Sequence, residues 1–162
     1  MAHPFTYPNP VNEGSARVVA LGVTAMALCA VVLGLPALLI PLTYGFVARV
    51  AMGPRLSPLS WLAGRVGPRI TSWRHQVPGP PKRFSQGIGA ALTLTATILW
   101  LVVGWSVARW VLLPLIAAAG LEGLAGYCVG CAIFGYLMRW GVVPPTVCAE
   151  CADLSARWAT RA

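Results

Sequence analysis

Two long apolar regions, residues 18–52 and 87–137, constrain what this chain can fold into more than any other feature. The chain is 57% hydrophobic and only 10% charged, whereas soluble domains carry about 25% charged residues. It therefore lacks the polar surface needed in water, and we expect a lipid bilayer to surround it. One membrane span takes about 20 residues. Each region is therefore expected to form more than one helix.

The residues inside each region suggest where it breaks. In the first, Gly34-Leu35-Pro36 predicts a tight turn between helices 18–34 and 37–52, because glycine favours helix ends and proline disfavours helix interiors. The alternative is one long broken helix or a re-entrant segment. In the second region, Arg109 marks the expected break, because an arginine is costly in hydrocarbon. A break at 106–109 would give helices 87–105 and 110–137, the latter bent at Pro114.

The predicted fold is all-α, an integral membrane protein with four transmembrane helices in two helical hairpins. Its parts would be an N-terminal tail (1–17), a first transmembrane hairpin (18–52), a basic, proline-rich cytoplasmic loop (53–86), a second transmembrane hairpin (87–138) and a cytoplasmic C-terminal tail with a C-x-x-C motif (139–162).

Orientation follows from the basic residues, which concentrate in loops on the cytoplasmic side of membrane proteins. The stretch 49–83 has no acidic residue and contains Arg49, Arg55, Arg65, Arg69, Arg74, Lys82 and Arg83. We therefore expect both termini and this loop on the cytoplasmic side of the cell's inner (plasma) membrane. The net charge of +8 is explained by this topology signal, and no nucleic-acid partner is expected. The first residues lack the basic segment of a cleavable signal peptide.

Within the central loop, the segment PLSWLAGRVG (58–67) predicts a short interfacial helix. Leu59, Trp61, Leu62 and Val66 would face lipid, and Arg65 would face phosphate. Its basic residues either form a docking surface for a partner or anionic lipid, or only fix the topology.

Four cysteines carry the strongest chemical signal. Cys128 and Cys131 form one C-x-x-C pair, Cys148 and Cys151 form another, and the spacing between them fits a four-thiolate zinc site. The same residues fit a thiol redox or sulfur-transfer site, in which Cys148 and Cys151 are the better placed to meet a soluble partner. A third interpretation is packing without chemistry. Cys29 stands alone and is expected to pack in helix one.

Glu122 is the second candidate residue. It is expected near the middle of the last helix, where a carboxylate needs a partner or a proton. Its predicted roles are proton transfer for thiol chemistry or a hydrogen bond to Thr93, Thr95 or Thr97. No nucleophile–histidine–acid set or phosphate-binding loop is found, so a hydrolase or kinase is not expected.

Three segments together resemble a known family: PPKRFSQ (80–86), LEGLAGYCVGC (121–131) and CAEC (148–151). They are similar to an uncharacterised bacterial membrane family, domain of unknown function 4395, over most of the chain. The resemblance implies a genomic association with thioredoxin-like or rhodanese-like proteins, and so a role in thiol or sulfur traffic.

The leading functional hypothesis is a membrane partner in thiol–disulfide or sulfur-transfer chemistry, with the catalytic candidates Cys128, Cys131, Cys148, Cys151 and Glu122. A thioredoxin-like or rhodanese-like soluble protein would be its partner. The alternative is a non-enzymatic accessory subunit of a larger membrane complex, in which the same four cysteines bind zinc. Zinc is the one cofactor that the sequence suggests, and the sequence leaves open whether the protein is an enzyme.

Overall fold

The computed structural model describes residues 11–70 and 76–148, and this part of the chain is almost entirely helical. Its strands and helices, in chain order, are β1 (Val11–Asn12), α1 (Glu13–Leu33), α2 (Leu39–Met52), α3 (Pro58–Val66), β2 (Gln76–Val77), α4 (Gly79–Val102), α5 (Trp105–Ala125) and α6 (Val129–Arg139). Short 3-10 helices occupy Pro36–Leu38, Gly53–Leu56, Gly67–Arg69 and Pro145–Val147.

The first apolar region breaks at the predicted turn. Gly34 adopts the left-handed conformation at φ 64°, which ends α1. The Leu35 N–H then reaches the Ala30 carbonyl at 3.0 Å, as in the usual glycine-terminated helix end. Pro36 begins the 3-10 helix that leads into α2. This region therefore forms two helices joined by a turn, not one long broken helix.

The second apolar region differs from the prediction at its start and at its first break. Its first helix, α4, begins at Gly79 instead of residue 87, because prolines are accepted in the first turn of a helix. The break comes at Val103–Gly104, just before the predicted 106–109. Arg109 lies inside α5, where its guanidinium sits 5.5 Å from the centre of the Trp110 ring.

The prediction of one continuous last helix over residues 110–137 is wrong. Pro114 is accommodated inside α5, but that helix ends at Ala125, where Gly126 takes the left-handed conformation at φ 72°. The Gly126 N–H donates to the Glu122 carbonyl at 3.0 Å. A separate short helix, α6, follows.

Three helices are long and apolar enough to cross a membrane in the part of the chain that the structure describes, namely α1, α4 and α5. The segment Pro36–Met52, which contains α2, and α6 are apolar but shorter. The all-α prediction is confirmed, and the described helices fit a bilayer environment.

A two-residue strand pair ties the N-terminal segment to the end of the central loop. Val11 pairs with Val77 and Asn12 pairs with Gln76, in antiparallel register. The Asn12 side chain also accepts the Ser15 N–H at 3.1 Å and so caps α1. Helices α1 and α4 therefore both start at this end of the bundle, which we call the β end.

The core lies between α1, α2, α4 and α5 and is built from small and aliphatic side chains. Its most buried members include Val23, Ala27, Leu39, Leu42, Ala96 and Leu112. Many large apolar side chains point outward instead, as expected where lipid takes the place of water.

The short helix predicted in the central loop is confirmed as α3. One of its faces packs against α1, and the other is apolar and exposed. Trp61, Leu62 and Val66 are exposed, and the Arg65 guanidinium lies 3.6 Å from the centre of the Trp61 ring. Leu59 is half-buried in the core instead of facing outward. Helix α3 is therefore a packed element of the fold.

The contact between α3 and α1 depends on a close approach of two backbones at Gly67. A Cβ atom at Gly67 would lie 2.3 Å from the Ser15 backbone nitrogen, well inside van der Waals contact. Gly64, one turn earlier, has nothing within 4 Å of the equivalent position.

We therefore expect Gly67→Ala to lower the free energy of unfolding by about 1–3 kcal/mol, because α3 must move away from α1. The matched control Gly64→Ala should leave stability unchanged or raise it by up to about 1 kcal/mol, since alanine favours helix. Thermal unfolding of the two variants in the same detergent measures the difference. Equal midpoints would contradict the close packing of α3 on α1.

Candidate thiol site at the β end

Cys128 lies at the start of α6, not in the middle of a helix as the sequence suggested. Its backbone is extended (φ −90°, ψ 105°) and its carbonyl accepts the Ala132 N–H at 3.1 Å, so it is the residue that caps the helix. Cys131 follows in the first turn. The first N–H groups of a helix have no partner within it and favour negative charge. This position therefore stabilises a thiolate.

Helix α4 packs against the cysteine pair. The Cys128 Sγ atom lies 3.5 Å from the Ser85 hydroxyl oxygen. The approach is close because Gly130 stands opposite Ser85, where a Cβ atom would lie 2.7 Å from the Ser85 Cα. One turn along α6, the Phe134 ring packs against Phe84 with centroids 5.6 Å apart. Gly130 therefore sets the distance between the cysteine pair and α4.

The pKa values of the two thiols shift in opposite directions. A hydrogen bond from Cys131 lowers the pKa of Cys128 to about 7, although burial and the Glu122 charge act in the other direction. Lys82 and the Ser85 hydroxyl add to the lowering. The same hydrogen bond raises the pKa of Cys131, and burial reinforces it. One thiol of the pair is thus prepared to ionise near neutral pH while the other holds its proton.

A buried ion pair lies beside the thiols. Glu122 is only one turn from the end of α5, so the expectation that it sits near mid-span is wrong. Its carboxylate accepts a hydrogen bond from the Lys82 ammonium of α4, and the two residues are only 8% and 5% exposed. The predicted threonine partner is also wrong, because the Thr93 hydroxyl donates to the Gly89 carbonyl at 2.9 Å. Both charges act on Cys128 and Cys131.

A second buried cation extends the polar layer along α4. Arg49 of α2 is 4% exposed and donates to the Gln86 side chain at 2.8 Å and to the Ser57 hydroxyl at 3.3 Å. Its guanidinium also lies 4.6 Å from the centre of the Phe46 ring. The first turns of α4 thus bring polar groups from α2, α5 and α6 to one level of the bundle.

The turn before Cys128 is held by α1. The Arg17 guanidinium donates to the carbonyls of Gly123 and Leu124, at 3.2 Å and 2.6 Å. These carbonyls belong to the last turn of α5 and have no partner within the helix. Arg17 also lies 3.8 Å from the Glu13 carboxylate. The first turn of α1 therefore fixes the end of α5, from which the chain passes directly to Cys128.

The remaining cysteines are arranged differently. Cys148 is buried and disulfide-bonded, and Cys151 lies outside the described residues. Cys29 is exposed on α1, so its predicted packing role is wrong. Within residues 11–70 and 76–148, no three metal-binding side chains come together. The four-thiolate zinc site needs Cys151 and stays a prediction.

Sequence reasoning missed Lys82, Ser85 and Arg17, which it left in a loop or a tail. A usable signal existed for Lys82: Pro80 and Pro81 fit the first turn of a helix, which would have placed Lys82 on α4. For Ser85 and Arg17 we find no such signal, because both act through contacts between distant parts of the chain.

The fold and the site together define an all-α protein of membrane type that carries a dithiol at one end of its helical bundle. The chain belongs to the family described as Domain of unknown function (DUF4395), whose sequence profile matches residues 11–139. No curated protein and no solved structure matches the chain. The matched region includes Cys128, Cys131, Lys82 and Glu122.

The close contact at Gly130 predicts how the Cys128 thiolate responds to a methyl group. We expect Gly130→Ala to push α6 away from Ser85, so that the Cys128 thiolate loses the Ser85 hydroxyl that lowers its pKa, and so to raise the pH at which the alkylation rate of Cys128 is half-maximal. Because the thiolate is the reactive form, alkylation at neutral pH should become slower.

The matched control is Gly135→Ala in the same helix, where an added Cβ atom meets nothing within 4 Å. This variant should keep the wild-type pH profile. The measurement is the rate of iodoacetamide alkylation of Cys128 against pH, read by peptide mass spectrometry. An unchanged profile in Gly130→Ala would contradict the role of the α4–α6 contact.

Proposed function

We propose that this protein is a membrane partner in thiol–disulfide exchange, in which Cys128 is the attacking thiol and Cys131 is the resolving thiol. The observation that carries the proposal is the position of Cys128 at the N-terminal end of α6, hydrogen-bonded to Cys131 and beside Ser85. A low-pKa cysteine at a helix start, followed three residues later by a second thiol, is the arrangement that redox-active pairs require.

The order of attack follows from the pKa values of the two thiols, lowered for Cys128 and raised for Cys131. The Cys128 thiolate attacks one sulfur of a partner's disulfide, forms a mixed disulfide and releases the first partner thiolate. Cys131 then loses its proton and attacks the Cys128 sulfur, which releases the second partner thiolate. Two electrons pass from the dithiol to the partner, and the reverse sequence reduces the Cys128–Cys131 disulfide. Sulfur transfer would use the same thiolate to accept a sulfane sulfur from a persulfide.

The reacting pair is then Cys128 and Cys131, and not Cys148 and Cys151 as the sequence suggested. Tyr127, immediately before Cys128, is exposed, so the turn between α5 and α6 reaches the surface even though Cys128 itself is only 9% exposed. Cys148 is buried and already in a disulfide. A soluble thioredoxin-like protein would therefore meet the turn that contains Tyr127.

We further propose that the β end faces the cytoplasm and that α2 completes a four-helix transmembrane bundle with α1, α4 and α5. The charge distribution supports the orientation, because Arg65, Arg69, Lys82 and Arg83 all belong to the segment between α2 and the first turns of α4. The dithiol would then be available to cytoplasmic thiol proteins.

The test is trapping of the mixed disulfide with full-length protein in detergent or lipid discs. Cys131→Ala should accumulate a mixed disulfide through Cys128 with an oxidised thioredoxin-like protein, because the resolving thiol is gone. Cys128→Ala should form none at this site. Non-reducing gel electrophoresis and mass spectrometry of the crosslinked peptide identify the sulfur involved.

The control is Cys29→Ser, which removes an exposed cysteine far from the site and should leave trapping unchanged. A crosslink through Cys148 or Cys151 in place of Cys128 would contradict the assignment of the attacking thiol. A persulfide on Cys128 with no mixed disulfide would redirect the proposal to sulfur transfer.

A further inference from the structure

A cavity of about 340 Å³ lies between α1, α2 and the start of α3, away from the dithiol. Its wall is almost entirely apolar and includes Val23, Met26, Leu42 and Leu59. The wall residues Tyr44 and Leu62 are 55% and 50% exposed, so the cavity opens on the outer surface of the bundle. Its volume falls within the range of small-molecule sites, about 300–1,000 Å³. The cavity is therefore large enough to hold a ligand.

The cavity extends along α2 from Pro41 to Arg49. Those eight steps of helix cover about 12 Å, close to the thickness of one hydrocarbon leaflet, which is half of about 30 Å. Arg49 marks the end nearer the β end, because its guanidinium donates to Gln86 in the first turns of α4. Pro41 marks the end nearer the middle of the bundle. The cavity thus has the length and direction of an acyl chain in one leaflet.

Hydrogen-bond donors gather at the β-end side of the cavity. Arg49 and Ser57 both line it there. The Ser57 oxygen accepts from Arg49 at 3.3 Å, and within the described residues its own hydrogen has no acceptor. Ser57 also precedes α3 without capping it through its side chain, so the first N–H groups of that helix have no partner within the helix. This end favours an acceptor group, while the other end favours a hydrocarbon chain.

Helix α3 runs from the cavity back towards the β end. Its start is level with the third turn of α1, because a Cβ atom at Gly22 would lie 2.7 Å from the Leu59 side chain. The residue that follows it, Gly67, meets Ser15 in the first turn of α1. A ligand whose chain occupies the cavity can therefore extend its polar part along the exposed face of α3.

That exposed face carries a cation close to the cavity mouth. Arg65 follows Leu62 by one turn, and its guanidinium lies 3.6 Å from the centre of the Trp61 ring. Arg65 and Trp61 are both exposed. Tryptophan rings favour the membrane interface, and arginine there meets lipid phosphate. The guanidinium is therefore placed where the phosphate of a lipid in the cavity would lie.

The local charge favours an anionic lipid over a zwitterionic one. The stretch 49–83, which includes α3, contains seven basic residues and no acidic residue. Basic segments next to a membrane span attract anionic lipids by about 1 kcal/mol per charge. Charge and shape thus point to the same kind of ligand.

We propose that this cavity binds one acyl chain of an anionic phospholipid, with an ester carbonyl at the Ser57 end and the phosphate on the Arg65 guanidinium. The lipid bridges α2 and α3 and fills the space that they leave beside α1. This site shares no residue with the dithiol, so it does not depend on the proposed thiol–disulfide exchange.

The experiment counts lipids bound to the full-length protein. Protein purified and stripped of lipid in detergent is titrated with dioleoyl phosphatidylglycerol or with dioleoyl phosphatidylcholine, which share their chains and differ in headgroup charge. Native mass spectrometry gives the number bound and the affinity of each. We expect one phosphatidylglycerol per chain, bound about tenfold or more tightly than phosphatidylcholine, the effect of one hydrogen bond to a charged group.

Met26→Trp tests the cavity, because Met26 is half-buried in its wall and a larger side chain takes the place of the acyl chain. Binding of phosphatidylglycerol should weaken about tenfold or more, since each buried methylene group contributes to affinity. The matched control is Met138→Trp, at a half-buried methionine of α6 that lies outside this cavity. It should bind as the wild type does.

Arg65→Gln tests the headgroup site and changes only an exposed side chain, so it remains informative if Met26→Trp does not fold. Its affinity for phosphatidylglycerol should fall to that for phosphatidylcholine. The matched control is Arg109→Gln, because Arg109 is also exposed and lies 5.5 Å from a tryptophan ring, that of Trp110, at the opposite end of the bundle. This control should keep the preference.

Three results would overturn the inference. Wild-type protein that binds several molecules of both lipids with equal affinity makes only ordinary bilayer contacts. Equal binding by the Met26→Trp and Met138→Trp variants would exclude the cavity as the site. A preference for phosphatidylglycerol that survives Arg65→Gln, or is lost equally in Arg109→Gln, would exclude Arg65 as the phosphate ligand.

Discussion

The ion pair between Lys82 and Glu122 is the interaction on which the β end of this protein depends. It joins the first turn of α4 to the last turn of α5, and both partners are almost completely buried. Removing one partner of such a pair costs about 3–5 kcal/mol, because the other charge is then left without compensation. Helix α6 packs on α4 and follows directly from α5. The Lys82–Glu122 ion pair therefore both fixes the position of Cys128 and places two charges near its thiol.

Close packing and helix capping hold the rest of the site in place. Arg17 satisfies the last carbonyls of α5, and Gly130 lets α6 approach Ser85 closely. The α3–α1 contact at Gly67 braces the same end of α1 that carries Arg17. These contacts give Cys128 one environment, in which its thiol shares hydrogen bonds with Cys131 and Ser85. A thiol prepared in this way needs no rearrangement before it can ionise.

Local signals allowed much of the fold to be predicted from the sequence. The all-α class, the Gly34 turn and the helix at α3 follow from apolar runs, glycine and proline, and the cysteine pair follows from spacing. The last helix is predicted too long because the apolar run continues past Gly126, although this glycine ends α5. Lys82 was assigned to a loop, which hid the partner of Glu122. Contacts between residues 40 or more positions apart are set by tertiary packing, which no local pattern encodes.

The proposed function depends on Cys128 and Cys131 being a reversible redox pair. It is tested most directly by a redox titration of the full-length protein, purified anaerobically in detergent, with thiols counted by alkylation and metal measured in the same sample. We expect Cys128 and Cys131 to gain and lose their alkylatable thiols together in a two-electron transition, without stoichiometric metal. About one zinc per chain, with four thiols released only by chelation, would contradict it and establish a structural metal site.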